Sequence, residues 1–529
     1  MKQIVIPTKI TVAIGVATVM VSCAEKRPQP NILYVMSDDH TSQAIGVYNS
    51  RLSILNPTPV IDEIAREGVV FNNCFCTNGI STPSRACIIS GQYSQTNGAL
   101  DLYDTLNIEK QYLPMELKKL GYQTAMIGKW HLKCEPTEFD YYEVLPLQGK
   151  YFNPTFRVRG DKPWHENTTK YSGHVSDIVT DISLNWLKSR DKTKPFFLMH
   201  HFKAPHDNFE YAPRYKDYLA DVEIPEPTNL YGHPADGWGS IATRGVNDSL
   251  VNEIGSSISK RNQDRNMGQK HSMDIDQTLE GDEYTHQSYQ KYLRHYLRCV
   301  KGVDDNLARI IQYLKDEGIY DNTIIVYTGD QGMFLGENDF QDKRWMYDPS
   351  MRMPFIVCYP GVVEANSYSD LLINNTDFAP TLIEMAGGEA PEYMQGKSFA
   401  KQLQGLSDEE LREATYYRYW MHMASKHSNP AHFGVRTKRY KLIFFYGVDY
   451  VPGGRDLWGG RNGWVTPAAW EFYDLESDPD EMKNEYKNPR YAKVIADLKE
   501  EILRQRRELN EGDEKYPHIQ RIIDENWNR

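Results

Sequence analysis

Four short stretches of the chain are apolar without a break: Ile32–Met36, Thr124–Ile127, Phe196–Met199 and Thr323–Tyr327. A strand with one face in water alternates between apolar and polar residues, so an unbroken run predicts a strand covered on both faces. Between these runs the spacing changes to threes and fours. The clearest case passes through Tyr292, Tyr296, Cys299, Val303, Leu307, Ile310 and Leu314, one stripe of a helix that Gly318 ends as a C-terminal cap. Strands alternating with helices predict an α/β fold whose sheet carries helices on both faces. Further along, Arg439–Phe445 and Trp470–Tyr473 read as paired strands and Tyr491–Leu509 as a closing helix. A smaller α+β part with a short antiparallel sheet is therefore expected beyond a boundary between Gly387 and Thr415. The stretch from Glu223 to Thr285 is polar, rich in Asn, Asp, Gly and Ser, and without a sustained period. It reads either as an insertion or lid near a site or as a plain surface excursion.

The N-terminus stands apart. Lys2 and Lys9 precede an uncharged, mostly apolar run, Ile10–Ser22, that is too short to span a bilayer and stops at Met20-Val21-Ser22-Cys23. It reads as a bacterial lipoprotein leader cleaved before Cys23, whose lipid would be the expected membrane attachment. The expected organisation is a signal peptide over 1–22, a tether over 23–30, a main domain over 31–400 and a C-terminal subdomain over 401–529. The expected location is the periplasm or outer membrane. The formal net charge of −12, with no long basic stripe, argues against a nucleic-acid partner. It also means that a site for an anion must gather its own cations. The cysteines from Cys74 to Cys358 are scattered and form no CxxC pair, so neither zinc nor a disulfide framework is expected.

Chemistry enters at the carboxyl ends of the four apolar runs, where open α/β sheets hold their ligands. The first ends in Ser37-Asp38-Asp39-His40 and the second in Gly128-Lys129-Trp130-His131. The third leads into His200-His201-Phe202-Lys203-Ala204-Pro205-His206, and the fourth ends in Thr328-Gly329-Asp330-Gln331-Gly332. Asp38, Asp39, Asp330 and the side-chain oxygen of Gln331 form an all-oxygen set suited to a hard divalent cation such as calcium or magnesium. Ser81-Thr82-Pro83-Ser84-Arg85 places a serine just before a helix that Pro83 can start, where free N–H groups favour anions. Ser before Pro is by itself only a helix cap.

The segment Ser81-Thr82-Pro83-Ser84-Arg85, continuing to Gly91, resembles the signature of the formylglycine-dependent type I sulfatases of the alkaline phosphatase-like superfamily. Other markers follow in order: Ser37-Asp38-Asp39, Gly128-Lys129-Trp130-His131-Leu132, Lys203-Ala204-Pro205-His206, Gly329-Asp330-Gln331-Gly332, Lys343 before Met346-Tyr347, Arg352-Met353-Pro354-Phe355, and Tyr473 to Pro479. The resemblance covers nearly the whole chain after the leader. It implies an alkaline phosphatase-like large mixed sheet flanked by helices, and a serine-type carbohydrate sulfatase. It also implies one Ca2+ held by Asp38, Asp39, Asp330, Gln331 and an oxygen of Ser81 oxidised to formylglycine. Arg85 would hold the alkoxide of that group's hydrate, Lys129 and Lys343 the sulfate oxygens. His206 would protonate the departing sugar oxygen, and His131 would help expel sulfate afterwards.

Two departures stand out. Lys133 follows Leu132 where the family usually has glycine, and position 81 is serine rather than cysteine. Oxygen-dependent maturation acts on cysteine, so Ser81 implies a radical-type maturating enzyme as partner and an anaerobic Gram-negative source. Tyr171-Ser172-Gly173-His174 and Arg298 to Asp305 most resemble bacterial enzymes acting on 6-sulfated N-acetylglucosamine. That implies an exo-acting 6-O-desulfation of heparan/heparin, keratan or mucin-type glycans. His427, Asn429, His432 and Trp470 are the candidates for sugar contact. Three alternatives remain at this point: a sulfatase of another sugar position, a phosphatase or phosphodiesterase of the same architecture, and a glycan-binding lipoprotein whose Ser81 is never oxidised.

Overall fold

The computed structural model describes residues 27–232, 236–251, 256–260, 273–425, 427–455 and 463–529. The leader and Cys23 lie outside the described residues, as do several stretches of the polar segment between Glu223 and Thr285.

The Asn31–Asp38 strand is buried along its whole length and sits at the centre of a ten-stranded sheet. Parallel to it run Thr323–Gly329 on one side and Phe196–Pro205 on the other, followed by Gln123–Lys129 and Tyr141–Leu145. Antiparallel pairings extend both ends, through Phe355–Cys358 and Val69–Phe71 on one side and Thr155–Val158 and Thr168–Lys170 on the other. The sheet is therefore mixed, with a parallel centre. Its apolar runs do not alternate because both faces are covered. Ile32, Tyr34 and Met36 enter one core, with Ile88, Leu113, Leu117 and Phe378 from the helices Ser81–Ser90, Tyr112–Lys119 and Phe378–Met385. Leu33 and Val35 enter the other, with residues of the helices Pro59–Arg66, Val175–Ser189 and Gly281–Asp316.

The predicted helix through Tyr292 starts earlier, at Gly281, because Tyr284 and Tyr289 extend its buried stripe back into the polar stretch. It ends as expected: Gly318 has φ +65°, its N–H bonds to the Lys315 carbonyl, and Ile319 N bonds to Leu314 O at 3.0 Å. The strand expected at Phe196–Met199 runs on to Pro205, since Phe202 still pairs with Ser37. His200, His201 and Lys203 are thus inside a strand rather than beyond its end. Ser81 is also inside its element: Ile80 is the extended residue before the helix, and Ser81 is the first helical residue.

The C-terminal part is a four-stranded antiparallel sheet of Ala414–Tyr419, His432–Thr437, Tyr440–Phe445 and Ala469–Asp474. Helix Ala492–Glu508 covers one face through Ile495, Leu498 and Ile502. The other face, with Tyr417, Tyr419, Ile443 and Phe445, packs into the same core as the large sheet.

Candidate active site

Strand register decides which polar groups meet. Ser37 pairs with Gly329 and Met36 with His201, while His201 pairs on its other side with Gly128. Asp38, Asp330 and Lys129 therefore leave the sheet along one edge. The strands approach so closely there that a Cβ on Gly128, at φ +105°, would overlap the His201 carbonyl.

Asp38, Asp39 and Asp330 are all essentially inaccessible. Each is matched by a cation. Lys129 Nζ is ion-paired with Asp38 and Lys343 Nζ with Asp39, while Arg85 Nε donates to Asp330 Oδ2 at 3.0 Å. Gln331 Nε2 donates to both Asp39 and Asp330, and Asp39 N donates to Asp330 Oδ1 at 3.1 Å. Ser81 Oγ donates to Asp38 Oδ1 at 3.2 Å. Arg85 is further fixed by Nη1 donating to the Lys129 carbonyl at 2.6 Å, and Lys129 by Nζ donating to Gln148 Oε1 at 2.6 Å. Thr82 Oγ1 donates to the His131 carbonyl at 2.9 Å, tying the helix start to the His131 turn. His206 Nε2 lies 3.7 Å from Asp39 Oδ2. All six residues expected to act on substrate or nucleophile (Ser81, Arg85, Lys129, His131, His206 and Lys343) are buried around this cluster.

Electrostatics follow from that burial. Burial raises the Asp39 carboxyl above the usual carboxylate range, against the pull of Lys343. Burial also works to raise Asp330, but Arg85 and Lys129 outweigh it and hold that carboxyl low. His131 and His206 are both pushed well below the usual imidazole range, first by burial and then by Lys129, with Arg85 adding at His131 and Lys343 at His206. Burial and the nearby Lys203 lower Lys129, whereas Asp39 and Asp342 outweigh burial and raise Lys343. Backbone strain collects here too: Asp39, His131, Lys133, Asp342 and Arg344 have φ of 64°, 57°, 62°, 79° and 89°, conformations that persist only where the surroundings over-determine them.

Asp38, Asp39 and His206 offer ligand atoms that lie within 4.8 Å of one another. Asp330 and Gln331 join the same cluster through their bonds to Asp39. Gln331 Oε1 is buried with no hydrogen-bond partner. A hard cation fits such a set: oxygen donors, carboxylates crowded in a dry place, and an unused amide oxygen.

The sulfatase family model matches residues 30–388, well over half of the chain. The chain belongs to the sulfatase family. A second model, N-sulphoglucosamine sulphohydrolase C-terminal, matches residues 336–451 and 463–508 of this sulfatase. The N-acetylglucosamine-6-O-sulfatase of Bacteroides thetaiotaomicron is 38% identical to it, over 94% of this chain and 90% of that protein. A solved structure of a protein in complex with its substrate D-glucosamine-2-N,6-O-disulfate superposes with TM-score 0.78 at 36% identity, covering 92% of this chain and 99% of that one. The phosphonate monoester hydrolase of Agrobacterium radiobacter shares the fold, with TM-score 0.67 at 18% identity over 91% of this chain and 96% of that one. This sulfatase is accordingly a sulfuric ester hydrolase.

The sugar-contact candidates divide. His427 is ion-paired with Asp342, next to Lys343, and so borders the cluster. Asn429 is buried close by, with Nδ2 lacking a hydrogen-bond partner. The other two are corrected by the structure. His432 is fully buried, stacked on Tyr417 and against Tyr419, Phe445 and Trp345, with Nδ1 on the Pro430 carbonyl at 2.8 Å. Trp470 lies on the opposite face of the small sheet, packed on Phe444, Tyr486 and Trp527. Both are core residues, because their positions in strands turn them into the two apolar faces. Sequence reasoning missed Asp342 and Arg344, which flank Lys343 and bind one another at 3.3 Å, and Asp207, which bonds His206. Their adjacency to Lys343 and His206 was the available signal.

Proposed function

We propose that this sulfatase removes the 6-O-sulfate from terminal N-acetylglucosamine of sulfated glycans of heparan/heparin, keratan or mucin type. The observation that carries the reading is the matched cluster beside Ser81, three buried carboxylates each bonded to a cation. The named carboxylates and cations cancel, so a bound divalent cation leaves the cluster net positive, ready for a sulfate ester. Similarity to an N-acetylglucosamine-6-O-sulfatase supports the 6-position, and the monosaccharide bound as substrate in the solved structure supports action on a terminal sugar.

The donor set fits Ca2+, with Asp38, Asp39, Asp330, Gln331 and an oxygen at position 81 to hold it; bound there it supplies Lewis acidity that makes the nucleophilic oxygen more acidic. Formylglycine made from Ser81 would supply, as its hydrate, that oxygen and a second hydroxyl for the release of sulfate. The rest falls to side chains. Arg85, held by Asp330 and the Lys129 carbonyl, shares Asp38 Oδ1 with the Ser81 hydroxyl, and from there its guanidinium stabilises negative charge on the oxygen at position 81. Lys129 and Lys343 turn from their carboxylates to the sulfate oxygens. His206 donates a proton to the sugar oxygen as its bond to sulfur breaks, and His131 takes a proton as sulfate departs. Burial and the neighbouring lysines lower the proton affinity of both imidazoles, which favours giving up a proton once it is held.

The test is expression with and without a radical-type maturating enzyme, followed by mass analysis of the peptide holding Ser81. A fragment two hydrogens lighter, together with sulfate release from 6-sulfated N-acetylglucosamine, is expected only with the maturase. Unmodified Ser81 under both conditions, or faster release of phosphate from aryl phosphate than of sulfate from the sugar, overturns the proposal.

A further inference from the structure

The geometry points to Asp207 as the positioning residue of His206, a role that rests on the reading of His206 as the acid for the leaving sugar oxygen. The two residues form a closed unit beside the cluster. His206 Nδ1 lies 2.7 Å from Asp207 Oδ1 and 2.8 Å from the Asp207 carbonyl oxygen. Its other nitrogen, Nε2, faces Asp39 at 3.7 Å, toward the charged centre. With two acceptors on one side of the ring, the proton resides on Nδ1 and Nε2 is the atom free to exchange a proton with substrate.

The turn that carries the pair is itself braced. Lys203 Nζ donates to the Asp207 carbonyl at 3.2 Å and rests on the ring of Tyr151, 4.7 Å from its centroid. Tyr151 Oη donates to the His206 carbonyl, and His206 N bonds back to Lys203 O at 3.1 Å. The ring therefore has little freedom to rotate. The carboxylate adds what the carbonyl cannot, a full negative charge beside an imidazole that must become positive near Lys129 and Lys343. A carboxylate behind a histidine does the same in the Ser-His-Asp hydrolases, where it fixes the tautomer and stabilises the imidazolium. In this chain sulfur bonds to the oxygen at position 81 as its bond to the sugar oxygen breaks, the proton given to that sugar oxygen leaves from Nε2, and the ring returns to its neutral Nδ1–H form.

A leaving group that needs no proton separates this role from a structural one. The matured, calcium-loaded full chain is assayed on 6-sulfated N-acetylglucosamine and on 4-nitrophenyl sulfate, as wild type, His206→Ala, Asp207→Asn and Asp207→Ala. Asp207→Asn is expected to lower kcat on the sugar by on the order of 10²-fold, as for loss of a general acid, with KM little changed and only a few-fold loss on the aryl ester. Asp207→Ala, at a side chain that is only partly buried, should show the same split. Equal loss on both substrates in the Asp207 variants, with the split preserved in His206→Ala, overturns the proposal alone. Equal loss on both substrates in His206→Ala overturns the acid role of His206 and the proposal with it. A calcium-induced rise in Tm that is unchanged in Asp207→Asn is also expected; its loss would make the pair part of the cation's shell and overturn the proposal.

Discussion

Asp39 accepts from Gln331, is paired with Lys343 and faces His206, while burial already raises its proton affinity. Such a carboxylate is costly to keep ionised unless positive charge is close on several sides. The same holds for Asp38, which is fully buried between Lys129, Arg85 and Ser81. Asp38→Asn is therefore expected to abolish the calcium-induced rise in Tm along with sulfate release, while the fold persists because Lys129 keeps its bond to Gln148. An Asn variant that melts higher with calcium, as the wild type should, removes Asp38 from the cation shell. At this scale the sequence was most legible where polar residues gather just past an apolar run, as Asp38, Asp39, Asp330 and Gln331 do. It was least legible for Asp342, Arg344 and Asp207, whose importance comes from what they touch. His432 and Trp470 misled because histidine and tryptophan suit sugars and cores equally.

Helices and strands here are tied to one another by polar groups at their ends. Asp304, on the long Gly281–Asp316 helix, accepts from the free N–H groups of Val60 at 3.1 Å and Ile61 at 3.0 Å, at the start of helix Pro59–Arg66. It caps a neighbouring helix, so Asp304→Ala should cost about 1 kcal/mol in denaturant unfolding, as cap removal does, without changing kcat. Burial raises the Asp304 carboxyl from 3.8 to about 7, against the two N–H bonds. The folded state thus holds this proton more tightly than the unfolded chain. Its contribution to stability is complete below the unfolded value and is lost as pH rises through about 7. Asp304→Asn, which does not titrate, should flatten the fall in stability over that window; an unaltered pH profile would assign the fall to other groups. The periodicity of the long helix was plain in the sequence, yet its first turns were not. Polar residues around Tyr284 and Tyr289 hid a buried stripe.

The large sheet and the small C-terminal sheet are joined by a buried charge network as well as by apolar packing. Asp348 receives Arg436 Nε at 3.1 Å and Nη2 at 2.8 Å, and Lys441 Nζ at 2.8 Å, while Lys441 also binds Glu481. Burial alone would raise the Asp348 carboxyl, but Arg436 and Lys441 hold it well below its usual range. Arg436→Ala leaves Asp348 half-compensated in a dry interface and is expected to cost about 3–5 kcal/mol, the scale of a broken buried pair. A cost under about 1 kcal/mol would show that water reaches this network as at a surface pair. The loss should appear in Tm and, because His427 and Asp342 come from the two parts of the chain, as a raised KM for the sugar.

From the sequence alone came the strands, the α/β class and the chemical character of the site, since these depend on local periodicity and on residue types that follow it. What only the tertiary structure decided is partnership: which cation faces which carboxylate, which histidine has a carboxylate behind it, and which aromatic residues are core. Those depend on strand register and on packing between segments hundreds of residues apart, such as Asp39 with Lys343, and no local pattern in the chain carries that information.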